Sequence, residues 1–304
     1  MTPRIPIRAG VTWTSDDEPL EALLGGAAAP VRLRAERADR LSAVALGITA
    51  RLGLVPAAAG IRRDVGVSVG TALGCFATNA AFQRRFVAPG GTASPRLFAG
   101  TVSNAAAGEV GIAYGLGGPG VTVTAGGAGG LAALDVARAE LIAGEVDGIV
   151  VAALDVVDDA ARRWLGEAGW PADSPALQAV AMALGEAPAE LPVTGWLGCV
   201  TLGRWDAAAP EAIGRVAHGA LADAGLRLSD VRVRVGRSGD VPRVREALSC
   251  PPGAIGARAG APLLAAGGPA ALLEGLVRGT EPVLVVDVCP SGHVAAAVAW
   301  RRSA

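Results

Sequence analysis

The feature that most restricts the fold lies between residues 121 and 154. Val121-Thr122-Val123-Thr124 is a short β-branched run, and six small residues follow it, Ala125-Gly126-Gly127-Ala128-Gly129-Gly130. Residues 131–143 then read as a helix, Gly144-Glu145-Val146-Asp147 as a connector, and residues 148–154 as a second apolar strand. Strand, small-residue elbow, helix and strand in this order place the elbow at the end of a sheet, where α/β folds build their sites.

The same alternation continues elsewhere, so the fold class is α/β. Residues 5–14 predict a first strand and residues 38–52 a helix, with Leu41, Val44, Ala45, Ile48 and Leu52 on one face. Residues 65–69 predict a buried strand, followed by a turn at Gly70-Thr71-Ala72-Leu73-Gly74. A helix over 103–116 ends at Gly117-Gly118-Pro119-Gly120. A weaker echo of the elbow unit occupies residues 260–288: a small-residue stretch over 260–268, a helix over 269–278 and a strand over 283–288. The chain therefore divides into two similar halves, 1–190 and 191–304, with the link after the apolar stretch 176–184.

Composition removes several functional classes. The 304 residues carry a net charge of -1, and no Lys occurs, which excludes a Lys Schiff base, a Lys general base and a P-loop. Arg is scattered among acids with no basic block, so neither nucleic acid nor membrane is an expected partner. Cys75, Cys199, Cys250 and Cys289 lack CxxC spacing, and only His218 and His293 could join them. A metal site or disulfide framework is not expected, and reduced thiols point to a cytoplasmic location. No uncharged apolar run reaches the roughly 18 residues of a membrane span.

The ordered small motifs over residues 70–154 resemble the N-terminal half of a β-ketoacyl synthase. The resemblance rests on Gly70-Thr71-Ala72-Leu73-Gly74, Ser94-Pro95-Arg96-Leu97-Phe98, Thr101-Val102-Ser103-Asn104, Tyr114-Gly115-Leu116, the elbow with Gly130-Leu131-Ala132-Ala133-Leu134, and Ala143-Gly144-Glu145-Val146-Asp147. Cys289-Pro290-Ser291-Gly292-His293 falls where that family has its last glycine-rich turn with a His. The resemblance implies a thiolase-like fold, two α/β halves in a five-layer αβαβα arrangement, acting as a dimer. It also implies no bound cofactor, the substrate being carried on the phosphopantetheine of an acyl carrier protein.

Three departures from the family pattern bear on function. An active ketosynthase has a nucleophilic Cys at the elbow, and here Gly127 occupies that position. The first His motif of the family corresponds to Val235-Gly236-Arg237-Ser238-Gly239-Asp240, which has no His, and the family's Lys is also missing. His293 is then a remnant of the second active-site His. These losses are similar to those of the chain-length factor, the non-catalytic ketosynthase-like subunit of type II polyketide synthases. That branch pairs with an active ketosynthase as a heterodimer and shapes the channel for a growing polyketide or polyene chain.

On this resemblance Val102, Ser103, Ala105, Ala106 and Phe98 would line the substrate channel, with Phe82 as a second capping aromatic. Cys289, four residues before His293, reads as a packed thiol closing an apolar strand, Cys75 likewise, and His218 as a helix-surface residue. An independent acyltransferase, thioesterase or decarboxylase with a different nucleophile is the alternative.

Overall fold

The computed structural model describes residues 3–56, 60–171, 173–206 and 210–301. From β1 (Ile5–Thr14) the chain runs through α1 (Leu20–Gly25), α2 (Ala29–Ala35) and α3 (Arg40–Arg51) to β2 (Val65–Thr71). Helices α4 (Phe76–Val87), α5 (Pro95–Ala99) and α6 (Ala105–Tyr114) precede β3 (Gly120–Thr124), and α7 (Gly129–Ala143) joins β3 to β4 (Gly148–Val156). After α8 (Asp159–Glu167) and β5 (Leu177–Gly185) come β6 (Gly195–Arg204), α9 (Glu211–Ala224), β7 (Arg232–Val235) and α10 (Val241–Ala247). The chain closes with β8 (Ile255–Ala257), α11 (Gly267–Arg278), β9 (Val283–Val288) and β10 (His293–Arg301).

The strands form one hydrogen-bonded order, β3-β2-β4-β5-β1-β6-β10-β9-β7-β8. The order of the first five recurs in the last five, β3-β2-β4-β5-β1 matching β8-β7-β9-β10-β6. The pairing senses recur too: β1–β5 and β4–β5 are antiparallel with β2–β4 and β2–β3 parallel, and β6–β10, β9–β10, β7–β9 and β7–β8 repeat that pattern. The two sets meet where Ile5, Pro6 and Ile7 pair with Leu197, Trp196 and Gly195.

Period-two alternation sorts the strand side chains into three layers of core. On β4, Val150, Ala152 and Leu154 face α3 and α6, whereas Ile149, Val151 and Ala153 face α7 and α11. On β9, Val283 and Val285 join that same central layer, and Leu284, Val286 and Val288 pack on α9 and α10. The layers are thus helix, strands, α7 with α11, strands, helix, the expected five. Strands covered on both faces carry no polar stripe, which is why β4, β5 and β9 read as continuous apolar runs.

Local chemistry sets several element ends. The Asp39 side chain accepts from the Leu41 and Ser42 N–H groups and starts α3. Gly115 and Gly144 close α6 and α7 in the left-handed conformation. Helix α6 begins at Ala105, later than the sequence pattern predicts. Residues 101–104 form a turn, pinned by Thr101 Oγ1 donating to Phe98 O at 2.7 Å and Ala105 N donating to Val102 O at 3.1 Å. The predicted turn at Gly70 is also displaced, because Gly70 and Thr71 continue β2 and pair with Val123 and Thr124 of β3. Among the described residues no helix is long and apolar enough to cross a membrane.

Candidate functional site

The elbow lies between β3 and α7. Ala125 leaves the strand, Gly126 turns through a φ of 54°, and residues 126–128 make one 3-10 turn that runs into α7. A side chain on residue 126 would strain this turn, since L-residues rarely adopt that φ. The elbow is seated on the end of β2, so closely that a Cβ on Gly70 would stand 2.8 Å from Gly129 C.

Gly127 is buried, and the space in front of its Cα is filled. A Cβ placed there would lie 2.7 Å from Cη2 and 3.2 Å from Cζ3 of Trp170. Trp170 comes from the loop between α8 and β5 and is 6% exposed. Its outer face is covered by Arg237, whose guanidinium carbon stands 4.5 Å from the ring centroid. Arg237 is itself fixed: Nε donates to Asp240 Oδ2 at 2.8 Å, and Nη2 donates to the Val288 carbonyl. The space in front of Gly127 is thus taken by an indole held under a guanidinium.

The last glycine-rich turn reaches the elbow from the other half. Gly292 N donates to Cys289 O at 2.9 Å, Cys289 N to His293 O at 2.8 Å, and Trp205 Nε1 to Cys289 O at 3.1 Å. This holds the Cys289 sulfur against the elbow, where it accepts from Gly127 N at 3.3 Å and Ser291 N at 3.4 Å. Ser291 Oγ lies 2.7 Å from the sulfur and 3.1 Å from His293 Nδ1. The sequence reading of Cys289 as packing alone is therefore incomplete: it is fully buried, yet it sits at the point where two backbone donors converge. Burial, with Arg204 nearby, lowers the pKa of His293.

Outside this core a cleft of about 770 Å³ opens between Gly169, Pro171 and Asp173, the turn at residues 237–243 and Gly260-Ala261-Pro262. Trp205 forms part of its wall, with Arg243 stacked on it at 4.6 Å. The wall at residues 260–262 contributes no ionisable side chain.

The five residues proposed for a channel lie away from the wall of this cleft. Phe98 is 61% and Val102 48% exposed, and Ser103 is also exposed, in the turn before α6. Phe98 packs on Phe82 with centroids 5.8 Å apart, and Phe82 stacks on Phe86 at 6.1 Å. Ala105 is half-buried, whereas Ala106 points into the core beside Val110 and Tyr114. His218 lies on the exposed face of α9, its Nδ1 2.8 Å from Gly214 O.

Two buried carboxyls brace the site at equivalent places, each the last residue but one of its strand. Asp155 of β4 accepts from Thr71 Oγ1, Ala72 N, Leu73 N and Ala265 N. Asp287 of β9 accepts from Gly268 N at 3.0 Å. Burial raises the Asp287 pKa from 3.8 to about 7; Arg237 opposes the shift and Asp240 adds to it. A raised carboxyl binds its proton more tightly in the folded state, so its contribution is complete below pH 4 and is lost as pH rises through 7. Asp287→Asn is expected to flatten the fall in stability between pH 4 and 7 by about 2–4 kcal/mol, measured by chemical unfolding across that range.

Comparison with known proteins agrees with this architecture. Residues 22–166 match the family described as Beta-ketoacyl synthase, N-terminal domain. No curated protein sequence matches the chain. Among solved structures, the ishigamide ketosynthase/chain length factor superposes with a TM-score of 0.78 at 21% identity, covering 99% of this chain and all of that one. The type II polyketide synthase ketosynthase AntDE, solved with its acyl carrier protein AntF, gives 0.74 at 14% identity with full coverage of both chains. A β-ketoacyl synthase from Burkholderia phymatum gives 0.73 at 13%, again with full coverage. Residues 22–166 are thus similar to the β-ketoacyl synthase N-terminal domain, within a chain that has the thiolase-like ketosynthase fold along its whole length.

Proposed function

We propose that this chain is the non-condensing, chain-length-factor-like subunit of a type II polyketide synthase, pairing with an active ketosynthase and receiving intermediates borne on an acyl carrier protein. The observation that carries this reading is the filled elbow: Gly127 has no group to acylate, and Trp170 occupies the volume a nucleophile and its thioester would need. Arg237 replaces a neutral hydrogen-bond donor with a fixed cation committed to Asp240. On the same reading the two halves divide near residue 190, in the link between β5 and β6, and the protein works in the cytoplasm.

The surface supports pairing. Phe86, Val87, Phe98 and Val102 are exposed and adjoin the aromatic cluster around Phe82. Strand β3 ends the sheet and is only partly covered. An exposed apolar patch and an open strand edge are both features that a large subunit interface covers. The channel lined by Val102, Ser103, Ala105 and Phe98 belongs to this proposal, whereas Ala106, expected there too, packs in the core. Enlargement at Val102 is the cleaner probe of it, because Ala106→Trp would overpack the core.

Co-expression with a ketosynthase carrying an elbow Cys is expected to give a 1:1 complex that forms carbon–carbon bonds. The chain alone should self-associate rather than stay monomeric, and it should release no CO2 from a malonyl carrier protein. A lone chain that stays monomeric and condenses would overturn the proposal. Gly127→Cys alone is expected to restore no condensation, because the new Sγ would collide with Trp170 and residues 235–240 hold no His. Measurable condensation by that variant would show that the filled elbow is not the block.

A further inference from the structure

The sulfur of Cys289 stands where the elbow of one half meets the last turn of the other, and its surroundings differ from those of an ordinary buried thiol. Cys199 shows the ordinary case, its Sγ donating to Asp223 Oδ2 at 3.3 Å. Cys289 has no carboxylate among its hydrogen-bond partners. It accepts instead from two backbone N–H groups on separate segments, Gly127 and Ser291, the arrangement that stabilises a thiolate or an oxyanion. Ser291 Oγ then connects the sulfur to His293 Nδ1, giving the thiol proton a path to an imidazole.

The thiol also adjoins a cavity. Gly169 and Pro171 on either side of Trp170, Pro290 next to Cys289, and the stacked Arg237 all line the cleft of about 770 Å³. Trp170 and Cys289 lie just behind that wall, 6% and 0% exposed. The indole and Cys289 pack in one cluster and both adjoin Gly127, the indole between two residues that line the cleft.

We infer that Cys289, Ser291 and His293 form a masked thiol centre that accepts acyl groups from thioesters, with Trp170 as the mask. This goes beyond the pairing role, since the chemistry is S-acylation with no carbon–carbon bond formed. The thiol proton passes through Ser291 to His293 as the sulfur attacks the thioester carbonyl. The Gly127 and Ser291 N–H groups that held the sulfur are placed to hold the oxyanion. Collapse of the adduct breaks the bond to the departing thiol, which takes the proton back from His293, leaving S-acyl Cys289 and a free thiol.

The test uses the full chain, a hexanoyl N-acetylcysteamine thioester and peptide mass spectrometry. Trp170→Ala is expected to acylate at Cys289 at least about tenfold faster than the native chain, because the mask and not the thiol limits the native rate. Adding Cys289→Ser should abolish labelling, and adding His293→Ala should slow it about tenfold. Trp170→Phe, which retains a smaller ring, should fall between Trp170→Ala and the native chain and serves if the Ala variant does not fold. A folded Trp170 variant whose Cys289 labels no faster than in the native chain overturns the inference, as does acylation that moves to half-exposed Cys75. Labelling is scored on this chain with or without a partner, so a failure of pairing and a failure of acylation are separate results.

Discussion

Gly130→Ala is expected to lower stability by more than about 4 kcal/mol, enough to remove most of the folded population of a protein whose total margin is about 5–15 kcal/mol. Gly130 lies in the first turn of α7, where that helix crosses the start of α11. A Cβ there would run into the Ala265 carbonyl, stand 2.7 Å from Pro269 Cγ and stand 2.9 Å from Ala153 Cβ. Ala265 precedes α11, Pro269 lies in its first turn and Ala153 belongs to β4, so relief in one direction tightens another. The contact is reciprocal, since a Cβ on Gly268 of α11 would meet Leu131 Cγ at 2.8 Å. Gly108→Ala in α6 is the matched control: a Cβ there meets nothing within 4 Å, and helix propensity favours Ala by up to about 1 kcal/mol. Thermal unfolding of the two variants should move in opposite directions. A Gly130→Ala melting temperature within a few degrees of native would mean that the helix crossing is looser than its geometry states.

The elements around that crossing were the legible part of the sequence. β1 and β9 have the bounds their β-branched runs predict, and the elbow unit from β3 to β4 was read in order, because strands buried on both faces and a helix closed by Gly144 leave strong local signals. The partners of the elbow left no such signal. Trp170 stands in Gly169-Trp170-Pro171, a loop in which nothing in the local sequence indicates what the ring will cover. Residues 235–240 show in sequence only that a His is lacking, and the stacking of Arg237 on Trp170 exists only once β7 and the α8–β5 loop are brought together. Cys289, Ser291 and His293 are two residues apart in sequence, a spacing that says little until the turn at Gly292 folds the last two back toward the sulfur. Helix α6 shows a signal that was present and unused: Ala106, Val110 and Tyr114 recur at a spacing of four and share the buried face. That periodicity places Ala106 in the core, and it could have been read from Val110 and Tyr114 alone.

Asp155→Ala is expected to cost about 3–5 kcal/mol and to loosen the junction between the two halves around the elbow. The carboxyl is completely buried and takes four hydrogen bonds, from Thr71 Oγ1 at 2.7 Å, from Ala72 and Leu73 N–H at 2.9 Å each, and from Ala265 N–H at 3.0 Å. Burial raises its pKa to about 6 against the pull of those donors, so at neutral pH the group is mostly the acceptor that all four require. Ala leaves them with no partner in a region water does not reach, and an orphaned buried donor costs more than the bond it once made returned. The donors come from both sides of the site: Thr71 ends β2 and residues 72–73 follow it, whereas Ala265 precedes α11, so the loss acts on the contact between halves. Asp155→Asn separates charge from hydrogen bonding. Its amide oxygen can satisfy the three donors on the β2 side, but its NH2 then faces the Ala265 N–H, and a smaller loss of about 1–2 kcal/mol is expected. Chemical unfolding at pH 7.5 should rank native above Asn above Ala, with limited proteolysis of the Ala variant beginning in the residues before α11. An Ala variant within 1 kcal/mol of native would mean that water or a shifted side chain takes over all four donors.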